Sequence, residues 1–311
     1  MQWYWIVALA LACVLVYWVV ISLIMYRAST HPKRPSAEQI AKRQEVYGFD
    51  SARYDALPKE KFSLTSRGVE IKGEIARGKG SEKVAVISHG YLANRSASAR
   101  YAQMYLDMGF SAMTYDQRYF GESGGKFCSM GLFESDDLAE VVKLARRKFP
   151  DAKIVLHGES MGAAAVLLAL GKVKDICYAV ADCAFSDVGE LYRRIAMGLT
   201  HLPMSFPVAD LMFLWTKLIC GFSPQTIKPI GAVKKTGVPI LFIHGAEDKF
   251  VPAYMSKKMI AAAKNADSEL YLVSGAKHAL SYAADPKKYI EAVKNFDRKI
   301  TTRNKNIGGI K

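Results

Sequence analysis

The sequence predicts an α/β protein in which a mostly parallel, doubly wound sheet carries a helical cap insertion and follows one N-terminal transmembrane helix. Three observations lead to this prediction. The chain begins with a long run without charged residues, a hairpin pattern is followed by apolar strands that alternate with helices, and one long segment interrupts that alternation. The chain has 311 residues, of which 50% are hydrophobic and 23% charged, so it is long enough for one large domain.

The apolar run covers residues 3–26 and contains no charged side chain. At about 1.5 Å per residue it is long enough to cross a hydrocarbon core of about 30 Å. Aromatic side chains that favour the membrane interface stand at its two ends: Trp3, Tyr4, Trp5 and Tyr26. A cleavable signal peptide is the alternative, but it would have a basic start and a shorter apolar core. We therefore expect an uncleaved transmembrane anchor.

The charges around this run predict on which side of the membrane the rest of the chain lies. Only the α-amino group precedes the run, whereas five basic residues follow it: Arg27, Lys33, Arg34, Lys42 and Arg43. The positive-inside rule therefore places the following domain in the cytoplasm. The five cysteines show no CxxC or framework spacing, which agrees with a reducing compartment.

The formal net charge is +14, but we find no nucleic-acid-binding motif and expect no nucleic-acid partner. The basic residues are concentrated towards the two ends of the part that follows the anchor, including a basic tail at 303–311. They fit attraction to anionic lipid headgroups or a solvated face that aids solubility. No histidine or cysteine pair has the spacing of metal ligands, so we expect no metal and no cofactor.

The elements follow one another in a clear order. Residues 27–59 form a polar juxtamembrane segment, in which Pro32 and Pro35 end the anchor helix and 36–47 are predicted to be a short helix. The domain at 60–302 begins with a hairpin. Its predicted strands are 61–65, 69–76, 84–88, 111–115, 153–157, 178–181, 239–244 and 269–273. Its predicted helices are 96–108, 133–149, 161–170, 253–264 and 286–300.

The pentapeptide from Gly158 to Gly162 has the pattern GxSxG. An apolar strand runs into it and an Ala/Leu-rich helix leaves it, which is the context of a nucleophile elbow. Side chains at the two glycine positions would collide in so tight a turn. Ser160 would stand at the N-terminus of the helix, where the dipole favours developing negative charge. Ser160 is therefore the candidate nucleophile, and a glycine-lined turn with a capping serine is the alternative.

A serine nucleophile needs a base and an acid that orients it. His278 follows the last strand, and its loop can reach back over the carboxyl edge of the sheet, so we expect it to be the base. We expect Asp248 to be the acid, because it lies on a loop after a buried strand at the same edge. Asp182, at the end of the strand after the elbow, is the rival, and Glu247 is the remaining candidate. The order serine, aspartate, histidine is typical of elbow-containing hydrolases.

Two backbone amides are expected to form the oxyanion hole. One belongs to Met161, the residue after the nucleophile, and the other to Tyr91, in the loop after strand 84–88. Gly90 would let that loop approach the substrate closely.

These blocks, read as SHGY, DQRYFGESGG, HGESMG, HGAEDKFVP and GAKH, resemble the α/β-hydrolase superfamily. They are most similar to its serine aminopeptidase-like and monoacylglycerol-lipase-like branch, which includes small membrane-anchored bacterial members. The resemblance implies the α/β-hydrolase fold and a Ser-His-Asp triad. It also implies that a D-x-R-x-x-G-x-S block braces the active-site edge, here Asp116, Arg118, Gly121 and Ser123. Phe120 departs from the residues usual at its position and receives no role.

The insertion at 185–236 stands where this fold carries its cap, and between 195 and 222 only Asp210 and Lys217 are charged. It predicts a lid with an apolar inner face over an acyl-binding pocket, or else two helices packed on the core. Cleavage of carboxylic esters, with a small-molecule or lipid ester as substrate, is the leading hypothesis. A peptidase of the serine aminopeptidase type is the alternative, and a non-catalytic scaffold the third. A peptidase should offer carboxylates to the substrate ammonium, for which the cap has Asp187, Glu190 and Asp210.

Overall fold

A computed structural model describes residues 2–80 and 82–308. Within these residues, eight strands form one sheet in the order β1-β2-β4-β3-β5-β6-β7-β8. The strands are β1 Lys59–Ser66, β2 Val69–Ala76, β3 Lys83–Ser88, β4 Ser111–Tyr115, β5 Lys153–Glu159, β6 Ile176–Asp182, β7 Ile240–Gly245 and β8 Glu269–Val273. β2 pairs antiparallel with β1 and β4, and the other five pairs are parallel. The predicted mostly parallel sheet is confirmed.

Helices precede the first strand, connect strands of the sheet and follow the last strand. They are α1 Trp3–Thr30, α2 Ala37–Val46, α3 Ala52–Asp55, α4 Ala99–Asp107, α5 Glu134–Lys148, α6 Met161–Ala169, α7 Val188–Thr200, α8 Val208–Cys220, α9 Pro229–Val233, α10 Tyr254–Ala262, α11 Ser281–Ala284 and α12 Pro286–Gly308. The helix predicted at 96–108 is divided, because residues 95–98 form a 3₁₀ turn. The other predicted helices of the sheet domain are present with ends that differ by one or two residues, except that α12 continues eight residues beyond the predicted end at 300.

Two apolar layers cover the two faces of the sheet. In β3, Val84 and Val86 pack with α5 and α6 on one face, whereas Ala85 and Ile87 pack with α4 and α12 on the other. Successive side chains of a strand point to opposite faces, so a strand buried on both faces is apolar throughout. Because β3 to β8 are parallel, their carboxyl ends meet at one edge of the sheet. The loops that carry the candidate site residues lie at this edge.

The antiparallel hairpin at the start of the domain has the predicted position. β1 and β2 pair along their whole length, from Lys59 opposite Ala76 to Ser66 opposite Val69. The turn between them has positive φ at both Arg67 and Gly68. Two-residue hairpin turns need this conformation because it matches the right-handed twist of the strands.

The first helix, α1, has 28 residues and ends at Thr30, just before His31 and Pro32. It is the one helix among the described residues that is long and apolar enough to cross a membrane, and a signal sequence would meet the same criteria. Its first part is exposed. Its last two turns are packed on the cap, where Trp215 of α8 donates a hydrogen bond to the Ser22 hydroxyl at 3.0 Å.

His157 lies in the core of the sheet domain. Its ring lies against that of Tyr101, with ring centroids 4.3 Å apart and an angle of 35° between the ring planes. Its two nitrogens lie 3.2 Å from the Tyr105 hydroxyl and 3.3 Å from the Tyr289 hydroxyl. Burial lowers the pKa of His157 to about 3, and Arg100 acts in the same direction. The histidine is therefore neutral in the folded protein at pH 5, where the unfolded chain would be protonated.

We predict that His157 makes the protein less stable as the pH falls from about 6.5 towards about 3. In that window the unfolded state binds the proton and the folded state does not, which costs up to about 1.4 kcal/mol per pH unit. Denaturant unfolding at pH 7 and pH 5 should show a smaller loss of stability in His157→Gln than in the parent. An equal loss in both proteins would contradict the assignment.

Candidate active site

A strained turn carries Ser160 between β5 and α6. Its φ of 52° lies in a backbone region that residues other than glycine rarely adopt. Its amide donates a hydrogen bond to the Asp182 carbonyl at 2.8 Å. A Cβ on Gly158 would lie 2.4 Å from the Gly162 carbonyl carbon, and a Cβ on Gly162 would lie 2.2 Å from the Ser88 carbonyl oxygen. Neither position therefore tolerates a side chain. The strand–turn–helix geometry of the predicted elbow is present.

Ser160 begins a chain of two hydrogen bonds. Its Oγ lies 3.0 Å from Nε2 of His278, and Nδ1 of the same ring lies 2.7 Å from Oδ2 of Asp248. The Asp248 side chain is fully buried, whereas that of His278 is 23% exposed. The structure thus brings together the three side chains that were singled out in the sequence, although they are separated by up to 118 positions.

The loops that carry the histidine and the aspartate are joined to each other. The Ala246 amide donates to the Val273 carbonyl at 2.9 Å, and the Glu247 amide donates to the Ala276 carbonyl at 3.0 Å. A Cβ on Gly245 would lie 2.4 Å from the Ala276 oxygen, so the two loops are in direct contact. Glu247, the remaining candidate acid, is exposed.

The Asp248 carboxylate is held in its charged form. Burial alone would raise its pKa, but hydrogen bonds from His244, His278 and the Val251 amide hold the pKa at about 2. The amides of Phe250 and Val251 both donate to Oδ1, each at 2.9 Å. The carboxylate is therefore a fixed negative charge behind the histidine at every physiological pH.

His244 supports this carboxylate and was not recognised from the sequence. Its Nε2 lies 2.7 Å from the Val251 carbonyl and 3.3 Å from Oδ2 of Asp248, and its Nδ1 lies 2.7 Å from the Ser256 hydroxyl. In the sequence it was one of three histidines that precede a glycine at a strand end. Its spacing of four residues before Asp248 was the available signal.

The rival acid, Asp182, lies behind the elbow. One carboxylate oxygen accepts a hydrogen bond from the Ser281 hydroxyl at 3.0 Å, and the other lies 3.3 Å from the Tyr101 hydroxyl. Burial raises its pKa to about 6, and the nearby Glu159 acts in the same direction. Its carbonyl thus holds the turn at Ser160, whereas Asp248 accepts the hydrogen bond from His278.

A buried ion pair stands directly beneath the nucleophile and was also missed. Glu159, the residue before Ser160, is paired with the fully buried guanidinium of Arg100 and accepts from the Tyr101 hydroxyl at 2.7 Å. The Tyr47 ring covers the guanidinium at 3.8 Å. No pattern in the sequence links these residues, because they lie on β5, α4 and the segment after α2.

The two expected oxyanion donors lie on either side of Ser160. The Met161 amide is in the first turn of α6, where amides have no partner inside the helix. A Cβ on Gly90 would lie 3.7 Å from Cβ of Ser160, so the loop that carries Tyr91 lies against the nucleophile. The Tyr91 hydroxyl donates to the Ala28 carbonyl, which connects this loop to α1.

The block from Asp116 to Ser123 braces the loop edge, as expected. Asp116 accepts the Arg95 amide at 2.7 Å and is paired with the Arg95 guanidinium. Arg118 makes two hydrogen bonds to Asp137, at 2.6 and 2.7 Å. The Ser123 hydroxyl donates to the Asp116 carbonyl at 2.6 Å.

Phe120, which belongs to the same block and received no role, is buried and meets the His89 ring edge-on at 5.8 Å.

Among residues 2–80 and 82–308, no group of three or more His, Cys, Asp or Glu side chains is arranged to hold a metal ion.

The insertion between β6 and β7 consists of α7, α8, a 3₁₀ turn and α9. Apolar side chains of α7 and α8 belong to one cluster. The same cluster contains Met161, Phe120, and Met25 and Tyr26 of α1. The apolar environment beside the nucleophile is therefore built from three parts of the chain. It includes the end of the N-terminal helix, which the sequence analysis treated as a separate segment.

Comparison with protein families gives two matches. The model described as serine aminopeptidase, S33, matches residues 79–204, and that of the dienelactone hydrolase family matches residues 216–302. The YqkD protein of Bacillus subtilis, described as uncharacterized, is 31% identical over 232 residues, which are 73% of this chain and 76% of that protein. The YfhR protein of Escherichia coli K12, also uncharacterized, is 25% identical over 57% of this chain and 56% of its own length.

Solved structures show the same fold. An esterase of Pyrococcus furiosus has a TM-score of 0.66 at 23% identity and covers 79% of this chain and 93% of its own. The Butyrivibrio proteoclasticus protein Est1E, solved with ferulic acid bound, has a TM-score of 0.61 at 20% identity and covers 78% and 99%. With the family matches and the relative from Bacillus, they lead to one conclusion: the chain belongs to the α/β-hydrolase superfamily and is a serine hydrolase.

Proposed function

We propose that the protein cleaves carboxylic esters, with acyl or lipid esters as the substrate class, through a Ser160–His278–Asp248 triad. The observation that carries this proposal is the continuous hydrogen-bond chain from Ser160 Oγ through the His278 ring to the buried Asp248 carboxylate. Ser160 attacks the ester carbonyl carbon while His278 Nε2 takes the hydroxyl proton. Asp248 orients the imidazole and stabilises the imidazolium that forms.

The tetrahedral intermediate places a negative charge on the former carbonyl oxygen. The amides of Met161 and Tyr91 are proposed to donate hydrogen bonds to it. The intermediate collapses when His278 gives its proton to the leaving alcohol oxygen, which leaves an acyl group on Ser160. Water then attacks this acyl-enzyme with His278 again as base, and the acid product and the free serine are released.

The carboxylates of the cap favour an ester over an N-terminal peptide as substrate. A peptidase that trims N-termini would need an available carboxylate for the ammonium group. Asp210 is paired with Arg193 at 2.7 Å, and Glu190 with Lys258 at 2.9 Å. Asp187 accepts the Glu190 amide at 3.0 Å as the N-cap of α7. Each of the three candidates thus already has a partner, while the apolar cluster beside Met161 suits an acyl chain.

The N-terminal helix is proposed to be a single-pass anchor at 3–26 that leaves the hydrolase domain at 60–302 in the cytoplasm. Length and composition support a span. The packing of the last two turns of α1 on the cap supports retention of the helix in the mature protein, because cleavage would expose this interface. The charge bias supports the cytoplasmic side.

We predict that Ser160→Ala abolishes hydrolysis, because a triad nucleophile supplies a factor of about 10⁶ in rate. The measurement is the hydrolysis of a panel of acyl esters and aminoacyl amides, together with labelling by a fluorophosphonate. The parent should cleave esters faster than amides and should be labelled, whereas the variant should do neither. Faster cleavage of aminoacyl amides would favour the peptidase, and an unlabelled, inactive parent would favour the scaffold.

The acid is tested by a matched pair of substitutions. Asp248→Asn should lower kcat by about 10³–10⁴, because the imidazole loses the partner that orients it. Asp182→Asn should lower kcat much less, because Asp182 accepts hydrogen bonds from hydroxyl groups behind the elbow. Esterase assays of both variants decide between the two carboxylates, and the reverse ranking would transfer the role to Asp182.

The orientation is tested with C-terminal reporter fusions. Green fluorescent protein should fluoresce and alkaline phosphatase should be inactive, because the basic residues after the span favour the cytoplasmic side. Replacing Arg27, Lys33 and Arg34 together by Gln should weaken this preference. Strong phosphatase activity in the parent fusion would refute the cytoplasmic assignment, and an unchanged orientation in the triple variant would refute the charge argument.

A further inference from the structure

The cap helix α8 lies alongside α1 and runs in the same direction. Trp215 Nε1 donates to Ser22 Oγ at 3.0 Å, and one turn further along both helices the Tyr26 hydroxyl lies 3.6 Å from the Cys220 thiol. From the first contact to the second, the chain moves forward by five residues in α8 and by four residues in α1, so the two helices have the same direction. The N-terminal half of α8 therefore points towards the apolar end of α1.

The length of α1 then sets the level of the cap relative to a bilayer. A hydrocarbon core of about 30 Å takes up about 20 residues, so a span that begins at Trp3 ends near Ser22. From Trp3 to Tyr17 the helix is exposed all round, and its buried positions begin at Ser22. Val208 lies seven residues before Trp215, which places it up to about 10 Å closer to the middle of the span. The first half of α8 is therefore level with the last turns of the span.

The outward surface of the α7–α8 loop and of α8 is apolar. Six large apolar side chains of the α7–α8 loop and of α8 are between 41% and 67% exposed: Leu202, Met204, Phe206, Leu214, Leu218 and Ile219. On α8, Leu218 and Ile219 follow Leu214 by four and five residues, so these three side chains lie on one face of the helix. Asp210 is neutralised by Arg193, and the long stem of Lys217 can carry its charge to the interface.

We propose that this surface, the outer cap face, is embedded in the same membrane leaflet from which α1 emerges. The inference rests on the proposed anchor. The lipid bilayer is the occupant because the outer cap face is continuous with α1 and level with the end of its span. An immersion of about 10 Å equals the depth at which interfacial helices bury their apolar faces. The cap over Ser160 would then touch the bilayer, so an ester with a bilayer-dissolved acyl chain could reach the site without crossing water.

The test measures the depth of single labelled positions in the full-length protein in phosphatidylcholine vesicles. An environment-sensitive fluorophore is attached to Phe206→Cys or Leu218→Cys, with Cys13 and Cys177 replaced by Ser. The control is Lys143→Cys on α5, on the exposed side of a helix that covers the sheet. We expect blue-shifted emission and strong quenching by lipids with a nitroxide near the headgroup at positions 206 and 218. The control should show neither.

A label on the native Cys13, with Cys177 replaced, separates the two proposals. It lies in the middle of the span and should be quenched by lipids with a nitroxide deep in the acyl chain. Quenching at 13 but not at 206 and 218 would overturn the inference and leave the anchor standing. No quenching at 13 would refute the anchor. Blue-shifted but unquenched labels at 206 and 218 would mean that protein covers the outer cap face, for example a second copy, and would also overturn the inference.

Discussion

The tight turn at Ser160 is the constraint on which the rest of the site depends. The backbone there has a φ of 52°, and such a conformation persists only when its surroundings hold it. The absence of side chains at Gly158 and Gly162 lets α6 approach β3 and β5 closely, and the Asp182 carbonyl holds the Ser160 amide. The Arg100–Glu159 pair fixes the preceding residue from below. The hydroxyl is presented at the carboxyl edge of the sheet because the strained turn leaves it no other direction.

The second half of the site is two loops that hold each other. Backbone hydrogen bonds join the loop after β7 to the loop after β8, so Asp248 and His278 are placed as one unit. The aspartate is buried, yet its pKa is held at about 2 because amides and two histidines donate to it. A buried charge of this kind is stable only when it is fully paired, which explains why His244 stands behind the carboxylate. The partly exposed member of this pair is His278, which in the proposed function exchanges protons.

The contacts of α1 connect the N-terminal helix to the candidate active site. The end of this helix packs with Met161 in one apolar cluster, and the Tyr91 hydroxyl donates to the Ala28 carbonyl. Tyr91, which carries one expected oxyanion donor, thus contacts α1, and Met161, which carries the other, lies in the same apolar cluster as the end of that helix. A helix that served only as a tether would need no such packing. In the proposed function, the anchor is part of the wall of the acyl-binding region and sets the distance between Ser160 and the bilayer.

The sequence by itself determined the fold class, the strands and helices, the elbow and the order of the candidate triad. These features depend on local patterns, such as apolar periodicity, glycines around a serine, and loops at the carboxyl ends of strands. The tertiary structure decided which carboxylate meets His278, since Asp182 ends β6 and Asp248 lies on the loop after β7, both at the carboxyl edge of the sheet. It also revealed Arg100, His244 and the packing of α1, because such contacts join residues that are distant in the chain and follow no period.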